Sequence, residues 1–130
     1  MTEFTANTVV VDDSDDEFIL VGFADEQHGE YREAIHFQRA YEFDEQDIAL
    51  GMDHIYVERG IQAGSGYGGI ESVELHATWI RILLYGNTAE SIGDTEFKIQ
   101  FNATEDEFRR LQRGLKTVFD GFELLAEYVA

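Results

Sequence analysis

Apolar residues recur at every second position through most of this chain and switch to a helical spacing once, close to its end. Phe97, Ile99 and Phe101 alternate with Lys98 and Gln100, and Val73 and Leu75 alternate with Glu74 and His76. A period of two puts such side chains on one face of an extended segment, so residues 96–101 and 70–76 are predicted to be half-buried strands. Residues 4–11 and 18–24 are rich in β-branched and aromatic side chains and flank Asp12-Asp13-Ser14-Asp15-Asp16-Glu17, which predicts a hairpin with a polyanionic turn. In residues 34–41, Ile35, Phe37 and Arg39 share one face and His36, Gln38 and Ala40 the other. With residues 54–59, and with residues 79–85 turning back on 70–76 around Ala77-Thr78, the expected total is about seven strands.

The helical segment is delimited by its own chemistry. Thr104-Glu105-Asp106-Glu107 is a capping box: the Thr104 hydroxyl accepts from the third helical amide while Glu107 reaches back to the cap amide. Phe108, Leu111, Leu115, Val118, Phe119 and Phe122 follow on one helix face, and Arg109, Arg110, Arg113 and Lys116 fall away from it. The expected fold class is therefore α+β, a mostly antiparallel sheet with a C-terminal amphipathic helix packed on it, in one domain over residues 1–130. A shorter helical turn is expected after Asp44, a good capping residue, with Gly51 ending it.

Charge narrows the choice of partners. The chain has 27 acidic and 9 basic residues, a net charge of −18. Up to residue 103 there are 21 acids and five bases; the other four bases lie between Arg109 and Lys116. Such a body repels nucleic acid and anionic membranes and attracts basic proteins at a salt-sensitive rate. The plainer reading is solubility or adaptation to high salt. The absence of Cys removes disulfides, thiolate metal sites and thiol nucleophiles. The first residues lack the basic flank and apolar run of a leader, and no stretch approaches the ~18–20 apolar residues of a membrane span, so the cytoplasm is the expected location.

The motifs that resemble chemistry fail on their surroundings. Gly64-Ser65-Gly66-Tyr67-Gly68-Gly69 matches a dinucleotide fingerprint, but a strand pattern follows where a helix is needed. Within the glycine-rich residues 60–69 a flexible loop is expected, with Tyr67 at its tip as an aromatic anchor. Asp12-x-Ser14-x-Asp16 begins like a calcium loop, yet Glu17 and Phe23 stand where Gly and Glu are required. His28, His36, His54 and His76 are scattered singly, and no Ser has an activating setting. No catalytic residue, metal ligand or cofactor is assigned. Acids and apolar residues interleave from Phe43 to Glu58, where Ile48, Leu50, Met52 and Ile55 either form an exposed anchor or plug the chain's own core.

Several phrases are similar to the tenth immunity-protein family of bacterial polymorphic toxin systems. They are Phe18-Ile19-Leu20-Val21-Gly22-Phe23-Ala24-Asp25, Phe43-Asp44-Glu45-Gln46-Asp47 followed by Gly51-Met52-Asp53-x-x-Tyr56-x-Glu58, Tyr67-Gly68-Gly69-Ile70, and the closing strand and capped helix. The resemblance implies a mostly-β fold and stoichiometric neutralisation of a cognate toxin protein. An acidic inhibitor suits a basic toxin, such as one that acts on nucleic acid. From the residues themselves, Asp44, Glu45, Asp47, Asp53 and Glu58 are expected to form an anionic partner-binding face, with Tyr56 and Tyr67 as anchors. The alternatives are a nucleic-acid-mimicking decoy, which would bind many basic proteins alike, and a small hydrolase with unidentified paired carboxylates. Oligomeric state stays open: unblocked edge strands favour pairing and the charge opposes it.

Overall fold

In the computed structural model, which describes residues 1–51, 53–60 and 64–128, the alternating segments form two five-stranded sheets. Sheet A has the order β1-β9-β8-β7-β10, from β1 (Thr2–Ala6), β9 (Glu96–Phe101), β8 (Trp79–Leu84), β7 (Ile70–Leu75) and β10 (Leu125–Glu127). Sheet B has the order β2-β3-β4-β5-β6, from β2 (Thr8–Asp12), β3 (Phe18–Gln27), β4 (Glu30–Ala40), β5 (Tyr56–Arg59) and β6 (Gly64–Tyr67). Sheet B is antiparallel throughout, whereas in sheet A the outer strands β1 and β10 run parallel to their neighbours. Three helices, α1 (Glu45–Ala49), α2 (Gly86–Ile92) and α3 (Glu105–Val118), complete the described residues. No helix among them is long and apolar enough to cross a membrane.

The class expected from the sequence holds, with two sheets in place of one. Residues 4–11 do not make a single strand. The apolar parity flips within them: Phe4 and Ala6 share the inner side of β1, whereas Val9 and Val11 share that of β2. One extended strand cannot bury both sets, so the chain leaves sheet A for sheet B at Asn7. The Asn7 side chain fixes that crossing, donating to the Glu26 carbonyl at 2.7 Å and accepting from the Glu26 amide at 2.9 Å.

Both sheets turn their inner faces to one apolar cluster. Phe23 of sheet B and Phe101 of sheet A meet there with ring centres 5.8 Å apart. Helix α3 begins at the Thr104–Glu107 capping box and buries Leu111, Leu115 and Val118. Gly114 lets it approach β2 and β3, since a methyl group at that position would stand 2.8 Å from Val11. Its bases point outward, and three of the four meet acids of the same chain: Arg109 pairs with Glu105, Arg110 with Asp13 at 3.5 Å, and Lys116 with Glu127 at 3.6 Å.

The glycine-rich stretch is a correction. Residues 61–63 lie outside the described residues, but Gly64–Tyr67 is edge strand β6, not a flexible loop, and Tyr67 ends that strand instead of standing at a loop tip. The glycines serve close packing on α2. A Cβ at Gly66 would sit 2.4 Å from the Thr88 hydroxyl, and one at Gly64 would sit 2.1 Å from the Ser91 carbonyl. Thr88 is itself buried and donates to the Gly68 carbonyl at 2.9 Å. Gly66→Ala is therefore expected to destabilise the fold by roughly 1–3 kcal/mol, and combining it with Thr88→Ala to cost less than the two single changes added together. Urea denaturation of the four proteins checks this, and strict additivity would show that the contact is unimportant.

Asp94 ties β1 to the start of β9 by accepting from the Thr2 hydroxyl at 2.6 Å and the Thr95 amide at 2.7 Å. The Thr2 hydrogen bond is the main cause that holds this carboxyl below its ordinary 3.8, at about 2. Because the folded-state value is depressed, the stabilisation is complete above pH 3.8 and disappears as pH falls to about 2. Asp94→Asn should thus be less stable than the parent at pH 6, with the gap closing over that acid window in pH-dependent thermal melts.

Candidate functional site

The inner face of sheet B is covered by α3, α2 and sheet A, which leaves its outer face to solvent. Strand registers lay two rows of side chains across that face: Asp12, Leu20, Gln38, Tyr56 and Tyr67 in one, and Val10, Gly22, His36, Glu58 and Ser65 in the other. The Tyr56 and Tyr67 rings lie 5.1 Å apart. The Tyr56 hydroxyl donates to Glu58 at 2.7 Å, and the other Glu58 oxygen lies 3.7 Å from His36 Nε2. Burial pushes the Tyr56 phenol above its ordinary range, a Ser65 hydrogen bond opposes that, and Glu58 reinforces it. Burial likewise lowers the His36 imidazole, against the pull of the Glu58 charge.

At the end of this face an open cleft of about 670 Å³ separates the sheet from the segment after β4. Tyr41, Tyr56 and Tyr67 line it together with Asp16, Glu17, Glu42, Asp44 and Asp47. No Lys or Arg does so among the described residues, and His54 is the one group there able to carry positive charge. Asp44 and Asp47 are held by a reciprocal capping box at the start of α1: the Asp47 amide donates to Asp44 at 2.7 Å and the Asp44 amide to Asp47 at 3.2 Å. The Tyr41 amide donates to the Glu17 carbonyl at 2.9 Å, and so brings the polyanionic turn beside α1.

Of the residues expected at a partner-binding face, the structure gathers Asp44, Asp47, Tyr56 and Tyr67 in one cleft and sets Glu58 directly behind Tyr56. Glu45 and Asp53 do not line it: Glu45 lies in the first turn of α1 and Asp53 stands 3.7 Å from His54. Asp16, Glu17, Tyr41, Glu42 and His54 were not singled out by sequence reasoning. Their signal was present only as a turn and two strand ends, with nothing local to show that these converge. The interleaved segment is divided between core and surface. Ile55 is buried in the core, while Ile48 and Leu50 stand 57% and 63% exposed on and after α1; Met52 lies outside the described residues. Among the described residues no group of three or more His, Asp or Glu is arranged to hold a metal ion.

A family model described as immunity protein 10 matches residues 5–109, four-fifths of the chain and every residue that lines the cleft. The chain belongs to the immunity protein 10 family. No curated protein and no solved structure gives a significant match. As an immunity protein it acts against a toxin, and family membership speaks for a binding role over a catalytic one. Behind the cleft, the contacts of Glu58 with Tyr56 and His36 form a polar network on the same face of sheet B. His36 supplies a probe of the network. Its folded-state value lies below 6.5, so the unfolded chain takes up a proton more readily and stability falls as pH drops below that value. In Glu58→Gln the opposing charge is gone, and the His36 midpoint followed by NMR should move still lower; an unchanged or raised midpoint would show that Glu58 does not act on His36.

Proposed function

We propose that this immunity protein neutralises its toxin by occlusion, meeting a basic toxin surface with the anionic, tyrosine-lined end of the outer face of sheet B. The observation that carries this reading is the composition of the cleft, in which five carboxylates and three tyrosines converge without a neutralising Lys or Arg among the described residues. Carboxylates at an open rim raise the rate of encounter with a positive partner, and partly desolvated aromatic rings supply the lasting attachment. Tyr67, 43% exposed and packed against Tyr56, suits the second task, and Asp44 and Asp47, fixed by their mutual cap, suit the first. Such a mode needs no reaction, cofactor or metal. It would operate in the cytoplasm of the producing cell, before the toxin reaches its target.

The test uses the cognate toxin and measures association at low and high salt. Asp44→Asn with Asp47→Asn keeps the cap acceptors and removes two charges; the association rate should fall severalfold at low salt and converge on the parent rate at high salt. Tyr67→Ala should weaken equilibrium binding by roughly 2 kcal/mol, about thirtyfold, through faster dissociation. Binding that responds to neither variant would place the contact surface elsewhere.

A further inference from the structure

A second groove, of about 410 Å³, adjoins the anionic cleft and shares two of its walls, Tyr67 and His54. Its lining differs from its neighbour's in lacking acids. Ile70, Tyr85, Phe122 and Leu124 line it, and among the described residues neither a carboxylate nor a Lys or Arg does. Gly68 and Gly69, both with positive φ (74° and 72°), contribute only backbone to its wall. Tyr85 is 58% exposed and leaves much of its ring in water. His54 sits over Gly68 with its ring centre 6.4 Å from that of Phe122, and Tyr67 leans on Tyr56 at 5.1 Å. The Tyr67 ring is therefore a ridge, with an acidic basin on one side and, on the other, a basin lined largely by aromatic and aliphatic side chains beside the shared His54.

We infer that this ridge reads a two-residue signature on the toxin: an arginine side chain in the anionic cleft and, two positions along an extended segment, a phenylalanine or leucine in the apolar groove. The inference rests on the reading that this face meets the toxin and specifies what it recognises there. An extended chain advances about 3.3–3.4 Å per residue and returns its side chains to one face every second residue. Positions i and i+2 can thus straddle one aromatic ring. Arginine fits the first basin better than lysine, because its planar cation can stack on the tyrosine rings while its N–H groups fork to carboxylates. A cationic side chain gains nothing in the second basin, where no carboxylate lines the wall among the described residues.

The probes are acetylated, amidated pentapeptides added to the full chain and followed by NMR, with the Tyr56 and Tyr67 rings reporting on the cleft and the Tyr85 ring and Ile70 methyls on the groove. Gly-Arg-Gly-Phe-Gly should shift both sets of signals and bind about fivefold or more tighter than Gly-Arg-Gly-Ser-Gly, which should shift the first set alone. Tyr85→Ala should abolish that difference. Equal shifts from Gly-Glu-Gly-Phe-Gly, or no response to the Arg/Phe peptide, would overturn the inference. With the toxin itself, Tyr85→Ala should weaken binding about tenfold. If toxin association is slowed in the Asp44/Asp47 double variant and binding is unaffected by Tyr85→Ala, the two-basin signature fails while the occlusion reading stands; if the double variant, Tyr67→Ala and Tyr85→Ala are all without effect, the reading beneath it fails as well.

Discussion

A guanidinium on the inner side of a sheet organises both basins. The alternation of β4 puts Arg39 on the same face as Ile35 and Phe37, an expensive place for a charge unless it is fully used. There it ends helix α3, with one Nη1 donating to the carbonyls of Thr117, Val118 and Asp120 at 3.0, 3.1 and 2.7 Å. A helix C-terminus presents unsatisfied carbonyls and partial negative charge, so a cation at that point answers both needs. The same guanidinium lies 5.7 Å from the Phe43 ring and 5.1 Å from that of Phe122. Phe43 leads into α1 and the acidic cleft, and Phe122 walls the apolar groove. One side chain thus connects the helix end, the sheet and both candidate recognition surfaces, at the cost of a buried Nε without a hydrogen-bond partner.

The distribution of the other bases explains why the cleft stays negative. Arg59 forks to Glu33 and donates to the Ile92 carbonyl, Arg81 pairs with Glu96, and three of the α3 bases meet acids around that helix. The exposed pairs among these, those on α3, add little to stability, on the order of 0–1 kcal/mol each. The larger effect of all these pairings is to hold most of the chain's few cations at faces other than the one where Asp16, Glu17, Glu42, Asp44 and Asp47 gather. A member of a family that counters a toxin can place an uncompensated field on the surface proposed to meet it, and let helix caps and buried apolar packing carry the fold.

Elements with strong local chemistry were legible in the chain. The Thr104–Glu107 capping box, the cap at Asp44, the hairpin across residues 12–17, the alternation of β7 and β9 and the stripe of Phe108, Leu111, Leu115 and Val118 on α3 stand where they were expected, whereas Phe122 lies beyond the end of the helix. Elements defined by contact were not. Helix α2 has seven residues and no side-chain cap, and it is held by burying Thr88, Ala89 and Ile92 against glycines of β6. Strand β10 is three residues long and exists because β7 offers a free edge beside it. The change of sheet at Asn7 was visible as a shift in apolar parity, but that shift tells only that one strand must become two.

Within the candidate site the same division applies. Asp44, Asp47, Tyr56 and Tyr67 could be chosen from the sequence because acid and aromatic residues cluster along a short stretch. Asp16, Glu17 and Glu42 could not, since their proximity depends on β3 and β4 pairing in one register and on the Tyr41 amide reaching the Glu17 carbonyl. The chain by itself determined its class, its one long helix and its excess of negative charge, all of which follow from period and composition. Which carboxylates share a cleft, and that an apolar groove lies across Tyr67 from it, was decided only by tertiary structure, because strand register and sheet order bring together residues that no local pattern relates.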